Sequence, residues 1–455
     1  MLYFRGCNQI ESCLFIKSQK MHFRNLLNWV HVKSSISEVV TLISHKLAKQ
    51  FFSLASIQSI NLLFPLFVIP YVSRILGPEN LGLVNFATSF LTYFTLIINY
   101  GFDYSATREI SVVREDKQKV DEVFNGIINS KLLLFFLSSS IYFIIILSSE
   151  KYAAHIILYY CSYLSIISSI FYSPWLFQGM QKLTVFTTVN LIFRILSIGV
   201  IFLLIHKASD YSLFQLINGV TVLLTAVATL IFAKLTFGIT FKWIPIKNSI
   251  EKIKSNFLLF VSIVIVNFNT TSTIVLLGYL TSYEIVGYYT ASMKVYSVVA
   301  SLSLFPISQV LYPHLATKFK ESSEEGLRTV KKIIPKILFL IALISIALIF
   351  SAKFIITVLY GEKFQSSIAI LQTLAPLLVI STLVNILCYQ VMLNLKMDKH
   401  FLKINAIGFV MNIIISLSLV PIFEAYGTCI SLYMIELTIV FVSLLILRKN
   451  NFKIY

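Results

Sequence analysis

From residue 51 to residue 447 the chain alternates long apolar stretches with short polar segments rich in lysine and arginine. Each apolar stretch runs to about 20 residues, enough at about 1.5 Å per residue to cross a hydrocarbon core of about 30 Å. Twelve spanning helices are expected, at 51–71, 81–103, 127–148, 153–176, 184–205, 211–233, 255–278, 286–312, 333–352, 367–390, 401–421 and 426–447. The fold class that follows is all-α, a polytopic membrane protein. Pro65 and Pro70 fall in the first span, where a helix tolerates proline only if its neighbours satisfy the freed carbonyls, so a kink is expected there.

The pattern also repeats. "ENLGLVNFATSF" (79–90) and "EIVGYYTASMKV" (284–295) share Glu-x-x-Gly at the outer entrance of the second helix in a set of six. The polar segment 236–254 then joins a first half, 46–235, to a second half, 255–447, with a short tail at 448–455. Six is even, so the halves share one orientation and are related by an axis along the membrane normal. The natural binding site is the cleft between them. Residues 1–45 have no apolar core followed by a small-residue cleavage site, so they do not read as a cleaved signal peptide. That extension is left unassigned, as either a surface-lying amphipathic segment or a start placed too early, Met21 being a second possible beginning.

Composition agrees with the spans: 57% of the 455 residues are hydrophobic and 13% charged, against roughly 25% charged in a soluble chain. The net charge of +17 would suggest nucleic acid if the basic residues gathered on one face, but they lie between apolar runs. With the N-terminus inside, 29 of the 37 basic residues fall on the cytoplasmic side, five outside and three within spans. Lysine and arginine in short loops are retained in the cytoplasm, so both termini are expected there. The five cysteines, Cys7, Cys13, Cys161, Cys388 and Cys429, show neither paired nor metal-type spacing. There is no P-loop, His-Glu-x-x-His or Cys-x-x-Cys, so neither ATP hydrolysis nor a metal or other cofactor is expected. Transport would then use a gradient, of H+ or Na+, or a partner.

Candidate chemistry lies inside the spans. Arg194, in "VNLIFRILSIGVIFLLI", sits about 15 Å from the inner end of its helix, too deep to reach the headgroups easily. Two readings stay open: an ion pair with a carboxylate such as Glu436, or a cavity cation that meets an anionic substrate. Lys294, at mid-depth in the eighth span, is its counterpart in the second half. Lys131 lies near the inner boundary, where snorkelling explains it; facing inward, it would extend a cationic path to the cytoplasm. "SLASIQSIN" (53–61) and "NFNTTST" (267–273) streak the first helix of each half with polar groups. Interhelical hydrogen bonding is the plainer account, and a sugar-accepting cavity wall of Asn61, Asn267, Asn269 and Thr273 the functional one. Asp103 and Glu436 are the carboxylates placed to sense a gradient.

Seven stretches, "LFPLFVIPYVSRILGPENLGLVNFA" (63–87), "GFDYSATREIS" (101–111), "WLFQGMQK" (175–182), "VGYYTASMKV" (286–295), "LYGEKF" (359–364), "LAPLLVISTLVN" (374–385) and "YGTCISLYMIEL" (426–437), resemble one family in its order. It is the O-antigen repeat-unit flippases, the polysaccharide-transport branch of the multidrug/oligosaccharidyl-lipid/polysaccharide exporter superfamily. The resemblance covers residues 46–447. It implies a twelve-helix, two-lobed carrier of the inner membrane, not an enzyme, that turns an undecaprenyl-pyrophosphate-linked oligosaccharide to the outer leaflet by alternating access. Membrane lipid, a polysaccharide polymerase and a chain-length regulator are the partners implied. It assigns Pro70, Arg74, Gly77, Glu79 and Gly82 to the family's first-loop motif, Arg108 to the loop after the second helix, and Gln178 and Gly179 to the turn after the fourth. Arg194, Glu436 and Lys294 carry over as site residues.

Three alternatives are weighed. A drug exporter of the same superfamily should carry an acidic residue in its first span, and 51–71 has none. A lipid-linked peptidoglycan precursor flippase is similar in chemistry but has fourteen helices. A membrane-embedded polymerase needs a large outer loop, whereas the longest here is 353–366.

Overall fold

The structure, a computed structural model, describes residues 68–450 and Phe452. The N-terminal extension, Asn61 and most of the expected first span lie outside the described residues, as does the side chain of Asn269.

The described chain runs through α1 (68–99), α2 (Phe102–Val113), α3 (Lys117–Ser148), the short α4 (Glu150–Ala153), α5 (Ile156–Phe171), α6 (Pro174–Gly179), α7 (Leu183–Leu204) and α8 (Tyr211–Phe237). The second half follows as α9 (Ile246–Leu280), α10 (Tyr283–Glu321), α11 (Ser323–Tyr360), α12 (Ser366–Leu374), α13 (Leu377–Val384), a π-helical stretch (Asn385–Met392) and α14 (Asp398–Lys449). Several helix starts are set by their caps. Asp116 accepts from the Gln118 and Lys119 amides at α3, and Ser282 and Ser322 accept from Ile285 and Glu325 at α10 and α11. Pro174, without an amide hydrogen, begins α6 and ends α5 early, leaving the last carbonyls of α5 without helical partners.

Among the described residues eight helices are long and apolar enough to span, or nine if the bent pair Ile246–Asn267 and Thr271–Leu280 is one. This count falls short of the twelve expected: α10, which holds the expected span 286–312, is not among the helices counted, and two further spans are lost from the count at the ends of the described chain. Most of the first span lies outside the described residues. The helical run 68–99 contains a non-helical residue at Gly77, whose φ of 72° suits a residue without Cβ, and the close of the first expected span and the start of the next share that one run. α14, 52 residues long, holds a non-helical residue at Glu424 (φ 50°, ψ −125°), which divides the expected spans 401–421 and 426–447.

Within the first half α5 and α7 pack on α8; within the second, α10 packs on α11 and α12, and α9 on α14. An aromatic column of Phe86, Phe90, Phe94, Tyr142, Tyr152 and Tyr159 fills the middle of the first half, with ring centroids 5.0–6.4 Å apart. The first turns of α9 lie against the first half. Ser130 donates to the Ser249 carbonyl at 3.3 Å, Lys252 pairs with Glu109, and the rings of Tyr100 and Phe260 stack at 4.2 Å. Farther along, Asn412 of α14 reaches Ser272 at 3.5 Å.

The segment joining the halves is not a free tether. Asp121, Asn125 and Asn129 stand one turn apart on α3, so their side chains form a row. Asn125 donates to the Thr240 carbonyl (2.8 Å) and accepts from the Lys242 amide (2.6 Å), while Asn129 donates to the Lys242 carbonyl (3.0 Å). Asp121 accepts from the amide and hydroxyl of Thr240 at 3.3 and 2.9 Å. The row pairs with the extended backbone as a neighbouring strand would.

Candidate functional site between the halves

Arg194 stands half-buried in the middle of α7. One turn earlier, Asn190 donates to the Tyr172 hydroxyl at 2.9 Å, and Tyr172 is also within range of the Arg194 charge. Lys294 stands solvent-accessible on α10, in the other half, and is close enough to Arg194 to feel its charge. Two like charges brought near each other in an apolar setting repel, and an anion between them would relieve both. The sequence missed Tyr172 and Asn190; Asn190 carried a usable signal, lying four residues before Arg194 and so on the same helix face.

Glu436 does not pair with Arg194 among the described ion pairs. The Ser381 hydroxyl lies 2.7 Å from both its oxygens and 2.9 Å from the Tyr296 hydroxyl. α13 thus supplies this carboxylate with a hydroxyl donor, and α10 a tyrosine that meets that hydroxyl, neither of which sequence spacing suggested.

Lys131 differs from both readings offered for it. It is 0% exposed, neither snorkelling nor lining an open path. Its ammonium donates to Asn99 Oδ1 at 3.0 Å and to the Ser169 and Tyr172 carbonyls at 3.4 and 3.5 Å, the carbonyls that the α5 break leaves open. Asp103 lies within range of its charge, and one oxygen of that carboxyl is buried with no hydrogen-bond partner among the described residues.

The polar run of the seventh span divides. Asn267 donates to the Ile263 carbonyl of its own helix at 2.9 Å. Thr273 is buried, beside the Ser272 that meets Asn412.

The loop-motif residues gather where the halves touch. Arg74 donates to Pro70 O (3.0 Å) and to Val358 O (2.7 Å), and Ser73 to Leu359 O (3.2 Å), so a cation and a hydroxyl cap the carboxyl end of α11. Glu79 is exposed. A Cβ on Gly82 would lie 1.8 Å from the Tyr283 carbonyl oxygen and 2.5 Å from the Gly287 nitrogen; one on Gly287 would lie 2.0 Å from Pro78 O. Gly82 and Gly287 are the glycines of the two Glu-x-x-Gly copies, so the repeats meet backbone to backbone through equivalent residues. Asn85 donates to Thr290 Oγ1 at 2.8 Å, a pair separated by 205 residues like Gly82 and Gly287. A near-two-fold axis therefore passes between α1 and α10 here. Beside the crossing Lys151 donates to the Gly278 carbonyl, with its ammonium 5.7, 5.0 and 5.3 Å from the Phe86, Tyr279 and Tyr283 ring centres.

Arg108 is exposed on α2, in an open cleft of about 780 Å³ shared with Tyr104, Glu109, Ser255 and Asn256. Gln178 is exposed at the end of α6, and a Cβ on Gly179 would meet Ile110 Cβ at 2.6 Å, so that glycine lets α6 lie on α2.

The profile of a family described as Polysaccharide biosynthesis protein matches residues 47–319. A relative from Escherichia coli (strain K12), named O-antigen transporter, is 24% identical over 398 residues, 88% of this chain and 96% of its own. One of the same name from Shigella dysenteriae is 23% identical over 382 residues, 84% and 94% of the two chains. Among solved structures, the lipid II flippase MurJ in an inward closed conformation superposes with a TM-score of 0.70 at 15% identity, covering 87% of each chain. A multidrug resistance MATE family transporter of the MOP superfamily, inward-facing, gives 0.63 at 14% identity over 85% of this chain and 94% of that one. Identities this low carry the fold alone.

Proposed function

The chain belongs to the polysaccharide biosynthesis protein family, and from that premise we propose that it carries an undecaprenyl-pyrophosphate-linked oligosaccharide from the cytoplasmic to the outer leaflet by alternating access. It is a multi-pass membrane transporter in this reading, sited in the bacterial inner membrane with both termini in the cytoplasm. The observation that carries the proposal is the convergence of Arg194 and Lys294, one from each half, near Tyr172 and Asn190.

The chemistry of the substrate fits those groups. At about 4 Å and an effective dielectric of about 20, each cation gains about 4 kcal/mol per charge pair with a phosphate oxygen, enough to offset partial desolvation of the headgroup. Arginine's planar fork suits two phosphate oxygens at once, and lysine adds a point charge. Hydroxyls and amides such as Asn190 would accept sugar hydroxyls. The α1–α10 crossing acts as the outer closure, which must part for release. Coupling to H+ or Na+, in this proposal, falls to Asp103 or Glu436.

The test is export of surface polysaccharide in a strain lacking the chromosomal gene. Arg194→Ala should lower it at least tenfold while the protein inserts at normal levels, with lipid-linked repeat units building up on the inner face. Arg194→Lys, which keeps charge but loses the fork, should fall between. Unchanged export from the Arg194→Ala, Lys294→Ala double variant removes the proposal.

A further inference from the structure

The row Asp121, Asn125, Asn129 uses the backbone of Thr240 and Lys242, and this fixes which way the intervening residues face. In an extended segment alternate side chains project to opposite sides, so Phe241 and Trp243 leave together, away from α3. Their rings meet edge to face at 5.2 Å, yet Phe241 is 49% and Trp243 76% exposed. Ile246, at the start of α9, extends the apolar patch and is 67% exposed. Lys234, Lys242 and Lys247, in the same stretch of chain, are exposed as well.

What covers this patch follows from its place. α8 is a membrane span that ends at Phe237, so the segment leaves the bilayer at the headgroup level. Among the described residues no backbone hydrogen bond involves Phe241 or Trp243. Their amides and carbonyls need water or headgroup partners, which excludes the hydrocarbon core and leaves the interface. Tryptophan favours that layer because its ring is apolar and its N–H polar. Lysines clustered beside a span on its cytoplasmic side meet the negative surface potential of anionic lipid.

We propose that Phe241, Trp243 and Ile246, with Lys234, Lys242 and Lys247, form an anchor that binds anionic phospholipid headgroups of the cytoplasmic leaflet. Through the α3 row the anchor holds the first half against that leaflet.

The experiment uses the full-length protein in nanodiscs of phosphatidylcholine with or without phosphatidylglycerol. Subtracting the emission of Trp243→Phe from that of the unsubstituted protein isolates Trp243 without touching Trp175. That difference emission should be blue-shifted, quenched by bromines placed high on the acyl chain and protected from iodide. The triple Lys234→Gln, Lys242→Gln, Lys247→Gln variant alters exposed side chains only and serves as the second measurement. It should weaken phosphatidylglycerol binding by on the order of tenfold to a hundredfold and leave phosphatidylcholine unaffected. Iodide quenching as in free indole, with none by brominated lipid, overturns the proposal. So does unchanged phosphatidylglycerol affinity in the triple variant, or shielding of Trp243 that appears only when soluble cytoplasmic protein is added.

Discussion

Lys131 donates from full burial to Asn99, Ser169 and Tyr172, and so ties α3 to α1 and to the broken end of α5. Lys131→Met keeps the length of the stem but strands those acceptors. An unpaired buried acceptor costs about 1–3 kcal/mol, so thermal unfolding in detergent should shift down by that order, and equal melting would contradict the assignment. The expected span 153–176 ran through Pro174, which breaks it, and nothing local said which side chain would meet the carbonyls so freed. A residue of another helix, 38 and 41 positions before those carbonyls, supplies the answer, which is why depth alone pointed to snorkelling. At the membrane surface, hydrogen bonds from the Lys119 and Gln118 amides, aided by the Lys119 ammonium, hold the Asp116 carboxyl below its ordinary range. Because the folded value is the depressed one, this cap is complete above the usual carboxylate range and is lost as pH falls through the lowered value. Amide exchange at Gln118 and Lys119 should therefore accelerate at acid pH. Asp116→Asn, which still accepts, should remove that pH dependence.

The helix elements were legible wherever an apolar run was bounded by charge, and least so where two runs join. Glu424 divides α14 although it is neither glycine nor proline, and no spacing marks it. The two Glu-x-x-Gly copies stood out as a repeat, but one copy gives no hint that its partner lies against it. In the structure the absence of Cβ at Gly82 is what lets α1 approach the carbonyl of Tyr283. Gly82→Ala forces a shift that overpacking places at about 1–3 kcal/mol. The outer ends of α1 and α10 should then part, and a cysteine at position 85 should label several-fold faster with a water-soluble thiol reagent added from outside. Equal labelling in the two backgrounds would show that the crossing does not close that side.

For the molecule as a whole, its class as a multi-pass membrane protein was written in the chain through hydrophobic length; how one half faces the other was not. That depends on residues about 200 positions apart, such as Asn85 and Thr290. Because these occupy equivalent places about a near-two-fold axis, exchanging them preserves the contact with donor and acceptor reversed. Asn85→Leu should lose a hydrogen bond of about 1 kcal/mol and lower export, whereas Asn85→Thr with Thr290→Asn should restore it. Export in the exchanged variant no better than in Asn85→Leu would mean the axis does not govern the contact. The joining segment was legible as a polar linker, since it lies between two sets of spans. Its side chains gave no sign that α3 would moor Thr240 and Lys242. A moored rope has play only beyond its cleat: between Lys242 and the first turn of α9 just Trp243, Ile244 and Pro245 intervene. Residues spliced in at that short stretch would hang as idle slack, while removing even one would haul the second half toward α3.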